Sequence, residues 1–261
     1  SGNTGVGGVV LQGLPNSPIS DDAGDYSATV DWGFSATVTP LKDGYTFLPA
    51  TKTYSATTSD KLNEDYKASI IKLEISGSTG VPGVTMSGFP TQVVTDEKGN
   101  YTVTVDYAWQ GIVIPEKTGY EFTPTSRSFN PVTQDMPGQD FPGKLQTFAI
   151  TGSVGLEGVS LTGFEKPVTS GSDGTYTAYV PYGWSGTVKP VMPGYDFEPG
   201  SNEYQNVTIS QDNQNYSASL QKRQISGTII SDQGPVEGVT VTSGLGGMAT
   251  QTDTSGKDKL T

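Results

Sequence analysis

The 261-residue sequence contains no cysteine and no histidine. Without cysteine it offers no disulfide or thiolate, and so no evidence about redox compartment. Without histidine it lacks the usual zinc ligand and the usual base of a nucleophilic triad. Basic residues are scarce as well: 15 Lys plus Arg stand against 27 Asp plus Glu, for a formal net charge of −12. The acidic residues are scattered through loops with no block of like charge. Binding phosphates takes a concentrated basic patch, so the pattern speaks against a nucleic-acid surface and reads as acidic solubility. No apolar run approaches the roughly 18 residues of a membrane span. No signal peptide begins the sequence, although a mature or trimmed chain would have lost one.

What is abundant is glycine (34) and proline (17), and the stretches between them are rich in Val, Thr and Tyr. That composition favours many short strands joined by turns, and no helical period is evident. A third of the residues are hydrophobic, enough to build cores. The order is repetitive. PGYDFEP at 193–199 returns as TGYEFTP at 118–124 and DGYTFLP at 43–49, each tyrosine 75 residues from the next. The same spacing of 75 separates Ile75, Ile150 and Ile225; Gly77, Gly152 and Gly227; Pro40, Pro115 and Pro190; and Tyr66, Phe141 and Tyr216. Residues between these landmarks vary freely while the spacing is kept, which marks an internal repeat.

The third copy illustrates the local reading. FAITGS (148–153) and GVSLTG (158–163) are two short alternating segments. In SDGTYTAYVP, Ser172-Asp173-Gly174 makes a turn and Tyr176, Ala178 and Val180 share a face opposite Thr177 and Tyr179. The matching faces are Tyr26, Ala28, Val30 and Tyr101, Val103, Val105. Residues 186–191 return as a strand, and two more follow around Tyr204 and Tyr216. The expected fold is all-β: a tandem array of small antiparallel seven-stranded sandwiches of about 75 residues each. Within PGYDFEP, Gly194 permits a positive φ, Tyr195 and Phe197 fall on one face, and Pro199 ends the segment. The package reads as a short edge strand and a corner that plugs one sandwich end with rings. Tyr101 and Tyr176 read as core residues in which the ring supplies most of the buried area, so Phe is expected to be tolerated there.

The order ITGSVGLEGVSLTGF followed by SDGTYTAYVP resembles the carboxypeptidase regulatory-like domain, a transthyretin-like sandwich related in shape to collagen-adhesin B-type repeats. Its D-x-x-G-x-Y/F turn stands here as Asp96-Glu97-Lys98-Gly99-Asn100-Tyr101, and the GYxFxP and NQNYSA elements look like the long version found in tandem in secreted bacterial surface proteins. The resemblance implies an extracellular or cell-surface spacer or accessory module. It implies no cofactor, and the recurring lysine that a Lys–Asn isopeptide crosslink would need in each opening strand is missing.

Three kinds of site are weighed. The turns Trp32-Gly33-Phe34, Tyr107-Ala108-Trp109 and Tyr182-Gly183-Trp184 place rings where they could stack on sugar, with avidity from three copies; equally, the rings could cover a sandwich end or a joint. Asp21-Asp22-Ala23-Gly24-Asp25 offers oxygen ligands for calcium, but the third copy has only Asp173 there, so no repeated metal site is expected. Carboxylates are plentiful without any pair marked out for acid–base hydrolysis. The sequons at Asn100, Asn206 and Asn215 matter only in a host that glycosylates them.

The expected division is 1–72 (opening strand truncated), 73–147, 148–223 and a partial fourth copy, 224–261. Residues 66–75 carry no Gly or Pro, so one copy runs almost directly into the next, and a stiff rod is expected. Ser1 and Gly2 align with Ser76 and Gly77, leaving the first copy short of the hydrophobic start of its opening strand. Gln224 to Gly227 and Gly238 to Val241 supply opening strands that cannot bury enough surface to fold alone. The breaks at the two ends fit a window cut from a longer array; the alternative is strand donation between copies of the chain, head to tail, which would involve Ser1, Gly2, Ile225, Gly227, Val239 and Val241. The leading reading is a non-enzymatic structural element of a stalk, fibre or filament. The alternative is an adhesin that binds a glycan or surface protein through the aromatic turns.

Overall fold

The computed structural model describes residues 1–242 and 249–260. Every regular element among them is a β-strand, and none of them belongs to a helix long and apolar enough to cross a membrane. The chain divides into two compact units, Ser1–Leu145 and Gln146–Thr261.

In the first unit, Lys72–Ser78 pairs antiparallel with Asn100–Asp106, setting Leu73 opposite Val105 and Ile75 opposite Val103. Trp109–Glu116 lies between Thr85–Ser87 and Arg127–Val132, and Tyr120–Phe122 pairs with Gly143–Leu145. Because side chains alternate along a strand, Tyr101, Val103 and Val105 all turn inward while their neighbours face solvent. They meet Ile75, Val84, Met86, Val113, Phe129 and Phe141 in one core. Full burial of a ring such as Phe141 contributes about 2–3 kcal/mol.

The opening strand is held on its other side too. Ile75 bridges Met136 in parallel, with Ser76 N donating to Met136 O at 3.1 Å and Met136 N donating to Glu74 O at 2.8 Å. That close approach explains the recurring glycine after Ile-Ser or Ile-Thr. A Cβ on Gly77 would stand 2.3 Å from Gln139 O, and one on Gly152 would stand 2.1 Å from Gln214 O.

The second unit uses the same pairing. Phe148 faces Val180 and Ile150 faces Ala178 where Thr147–Ser153 meets Thr175–Pro181. Val168–Thr169, Ser160–Thr162, Trp184–Val191 and Asn202–Val207 form one sheet, and Tyr195–Glu198 pairs with Ser217–Leu220. The short Val168–Thr169 strand is an addition to the elements read from the sequence.

Residues 2–70 depart from the expectation. Val10–Gln12, Phe34–Leu41 and Lys52–Thr57 form a sheet, and Tyr45–Leu48 pairs with Lys67–Ile70. The strand expected through Tyr26, Ala28 and Val30 stops at Tyr26, because its partner Gly2–Asn3 supplies only two residues. Ala28 and Val30 lie beyond it, partly buried and outside any strand. Pairing, and not the alternation of side chains alone, decides how far a strand runs.

The C-terminal segment pairs with itself. Ile225–Thr228 meets Lys257–Leu260, and Thr240–Thr242 meets Ala249–Gln251. These strands pair locally but bury little. Ile225 and Ile230 are 72% and 70% exposed.

Candidate functional site

The aromatic turns differ from one another. Trp109 stacks on Phe89 at 5.6 Å and leans on Phe129, while its ring lies so close over Gly111 that a Cβ there would meet Cζ2 at 2.5 Å. Trp184 repeats this with Phe164, Tyr204 and Gly186. Both indoles are half-buried with ring faces taken up by neighbours. Phe34 is half-buried, and Ala36 stands two residues on, where the other turns have Gly111 and Gly186. Tyr182 packs on Phe148 at 6.2 Å. Trp32 is the outlier, 84% exposed.

Tyr107 holds a joint. Only Ile71 separates Lys67–Ile70 from Lys72–Ser78; its N–H donates to Gly44 O at 2.8 Å and its carbonyl accepts from Tyr107 N at 2.9 Å. Gly44, in the left-handed region with φ of 79°, gives the Tyr107 ring its seat: a Cβ there would stand 2.2 Å from Cδ1.

The acidic turns are occupied by their own backbone. Asp21 Oδ1 accepts from Ala23 N and Asp25 N, and Asp96 Oδ1 accepts from Lys98 N and Asn100 N. The Asn100 amide, ahead of the Lys98 amide, holds the Asp96 carboxyl below its ordinary range. These carboxylates shape turns.

Two recurring polar contacts were not read from the sequence. The tyrosine hydroxyls expected to be dispensable are bonded: Tyr26 Oη donates to Glu64 O at 2.6 Å, Tyr101 Oη to Gln139 O at 2.5 Å and Tyr176 Oη to Gln214 O at 2.5 Å. Burial pushes the Tyr101 hydroxyl up to about 12. The second contact is a buried hydroxyl. Val84 N donates to Thr95 Oγ1 at 2.9 Å, which donates onward to Val81 O at 2.8 Å. Ser20, Ser170 and Thr252 make the same pair of bonds with Val9 and Val6, Val159 and Leu156, and Val239 and Val236. The 75-residue spacing of Ser20, Thr95 and Ser170 was the available signal.

The residues expected at a polymer contact fall at two places. Ser1 donates through its amino group to Lys61 O at 2.9 Å and accepts from Glu64 N at 3.0 Å; Gly2 pairs with Tyr26. Ile225 faces Leu260 and Gly227 faces Asp258, Val241 faces Thr250, and Val239 N is taken by Thr252. Beside Ser1 runs a groove of about 470 Å³ bordered by Tyr26, Ala28, Val30, Trp32, Asp60 and Leu62. At its rim, burial pushes the Glu64 carboxyl up, but hydrogen bonds from Lys52 and Tyr54 outweigh this and hold it below its ordinary value.

No family model matches the chain, and no curated protein matches it. Among solved structures it is similar to the Bacillus anthracis TIE protein, with a TM-score of 0.59 at 15% identity, over 82% of this chain and 48% of that one. The chain thus spans about half the length of that protein, and at this identity the likeness is one of fold. A Streptococcal ancillary pilin aligns with a TM-score of 0.30 at 8% identity, over 73% of this chain and 86% of that one.

Proposed function

We propose that this chain is a non-enzymatic structural element of a bacterial cell-surface stalk, fibre or filament. In this reading it is built of carboxypeptidase regulatory-like sandwiches of about 75 residues at 1–72, 73–147 and 148–223, with 224–261 a partial copy. The observation that carries the proposal is the joint at Ile71. A single residue connects consecutive strands, and its two backbone hydrogen bonds and the Tyr107 ring seated on Gly44 leave no room for a flexible linker. A module that must hold something away from a surface needs that stiffness. The fold likeness to the Bacillus anthracis TIE protein supports the all-β fold of this reading.

Immunogold electron microscopy of native cells tests the proposal. Label along surface fibres or at the envelope is expected, whereas label confined to the cell interior overturns it.

The adhesin reading is kept at one position, because Trp32 alone of the three tryptophans stands exposed. Glycan binding on an array, lost in Trp32→Ala and retained in Trp184→Ala, would favour it.

A further inference from the structure

In residues 72–145 the opening and closing segments lie side by side and point the same way. Residues 74–79 run parallel to residues 135–143 through the bridge of Ile75 with Met136, and seven hydrogen bonds stitch the two together. Glu74 N donates to Asp135 Oδ1, and Glu74 O accepts from Met136 N. Ser76 N donates to Met136 O, and Ser76 O accepts from Gln139 N. Ser78 N donates to Asp140 Oδ1 at 2.8 Å, while Ser78 O and Thr79 O accept from Phe141 N and Gly143 N, both at 2.9 Å. The second unit repeats this seam between Ala149 to Ser153 and Ser210 to Tyr216, again parallel at the bridge of Ile150 with Gln211, with Ser153 N donating to Asn215 Oδ1 at 2.9 Å.

Landmarks 75 residues apart converge on the seam. Gly77 and Gly152 leave room for the carbonyls of Gln139 and Gln214, and the hydroxyls of Tyr101 and Tyr176 donate to those same carbonyls from the core side. Asp140 and Asn215 each supply a side-chain oxygen where a backbone carbonyl would otherwise accept. Residues 137–142 belong to no strand, so these bonds, with Arg127 donating to Asp140 O at 3.2 Å, are what hold them. The direction of the pairing has a mechanical consequence. Tension entering at Lys72 and leaving at Leu145 draws the opening strand backward and the closing segment forward along one axis, so every bond of the seam is loaded in shear together. Adjacent antiparallel segments pulled from their shared end would instead open one bond after another.

We propose that the seam is a load-bearing clamp: the chain carries tension along its length, and the opening strand and closing segment resist it in shear. Closing a sandwich edge requires only that the two segments pair, in either direction. Sharing an end-to-end load among all the bonds requires the parallel one. Ile71, alone between Lys67–Ile70 and Lys72–Ser78, passes tension into the opening strand without slack. The proposal deepens the structural reading and rests on it for the direction of the load. The two fail separately: a seam with no directional strength would leave label on surface fibres unchanged, and label confined to the cell interior would leave the strength of the seam measurable.

The sequence has no cysteine, so single-molecule pulling handles can be attached to the full chain at chosen pairs of introduced cysteines. Handles at Lys72→Cys and Leu145→Cys load the seam in shear. Handles at Lys72→Cys and Asp106→Cys, which face each other at one end of the antiparallel ladder, open the same strand pair by pair. At a matched loading rate the rupture force is expected to be at least ~twofold higher along the seam, since forced unfolding reports the barrier met in the pulled direction. Asp140→Ala should lower the seam force and leave the 72–106 force unchanged, because the Ser78 end of the ladder is reached last. Asp140→Asn, which keeps an oxygen where Asn215 has one, should restore the seam force. Equal forces in the two directions, or a seam force that Asp140→Ala does not lower, overturns the proposal.

Discussion

Residues 2–70 and residues 72–145 share spacing and most landmark residues, yet one stretch closes its core and the other leaves a groove. In the later stretch Val105 is 1% exposed beneath Leu73, and fourteen buried hydrophobics form a continuous cluster. In the earlier stretch the buried set shrinks to Val9, Leu11, Tyr26, Val38 and Tyr66. In the later stretch Lys72 to Ile75 stand against Asp106 through Val103. They supply only two inward side chains, but they also supply the backbone partner that keeps the neighbouring strand extended. Sandwich edges are therefore cooperative: losing one strand costs its own burial and the regularity of the next.

The comparison can be broken at several points, the largest first. Tyr176→Ala should destabilise its core by about 3 kcal/mol or more, whereas Tyr176→Phe should lose about 1 kcal/mol because Gln214 O is left without its donor. Urea unfolding reads both, and equal small losses would mean the ring does not face the core. Next, Val105→Ala should cost about 2 kcal/mol and Val30→Ala under about 0.5 kcal/mol, although the two stand 75 residues apart in matching sequence. Equal costs would show that Val30 is as well packed as Val105 in solution. The joint gives a third contrast. Gly44 and Gly194 both have positive φ, so alanine at either should cost about 1 kcal/mol, but a Cβ on Gly194 meets nothing within 4 Å while one on Gly44 meets Tyr107. A larger drop in melting temperature for Gly44→Ala than for Gly194→Ala is expected, and Tyr107→Ala should remove the excess.

The smallest effect concerns acid. Asp96 has a depressed carboxyl in the fold, held by the Asn100 amide first. A group lowered in this way stabilises the fold above the unfolded value of about 3.9 and ceases to do so as pH falls through the folded value. Thermal melts of the wild type should therefore lose stability below about pH 4, and Asp96→Ala should show a shallower decline over that range. A parallel decline would indicate that the turn amides do not hold the charged form.

Much of the architecture was legible because period-two alternation and fixed spacing are local properties. Tyr176, Ala178 and Val180 turn inward as the alternation required, and the GYxFxP package ends short edge strands such as Tyr195–Glu198. The bonded tyrosine hydroxyls were not legible, since an acceptor carbonyl 38 residues away leaves no trace in composition, and the acceptors of Ser20, Thr95 and Ser170, 14 residues away, left only the shared spacing of these three residues. The aromatic turns show the same limit: Trp32 and Tyr107 align, but one stands in solvent and the other sits on Gly44.

The sequence by itself determined the all-β class and the alternation that assigns inward faces, because each follows from the few residues on either side. Tertiary structure alone decided where strands stop, which rings are covered and where a groove remains, because those depend on partners that arrive from distant parts of the chain.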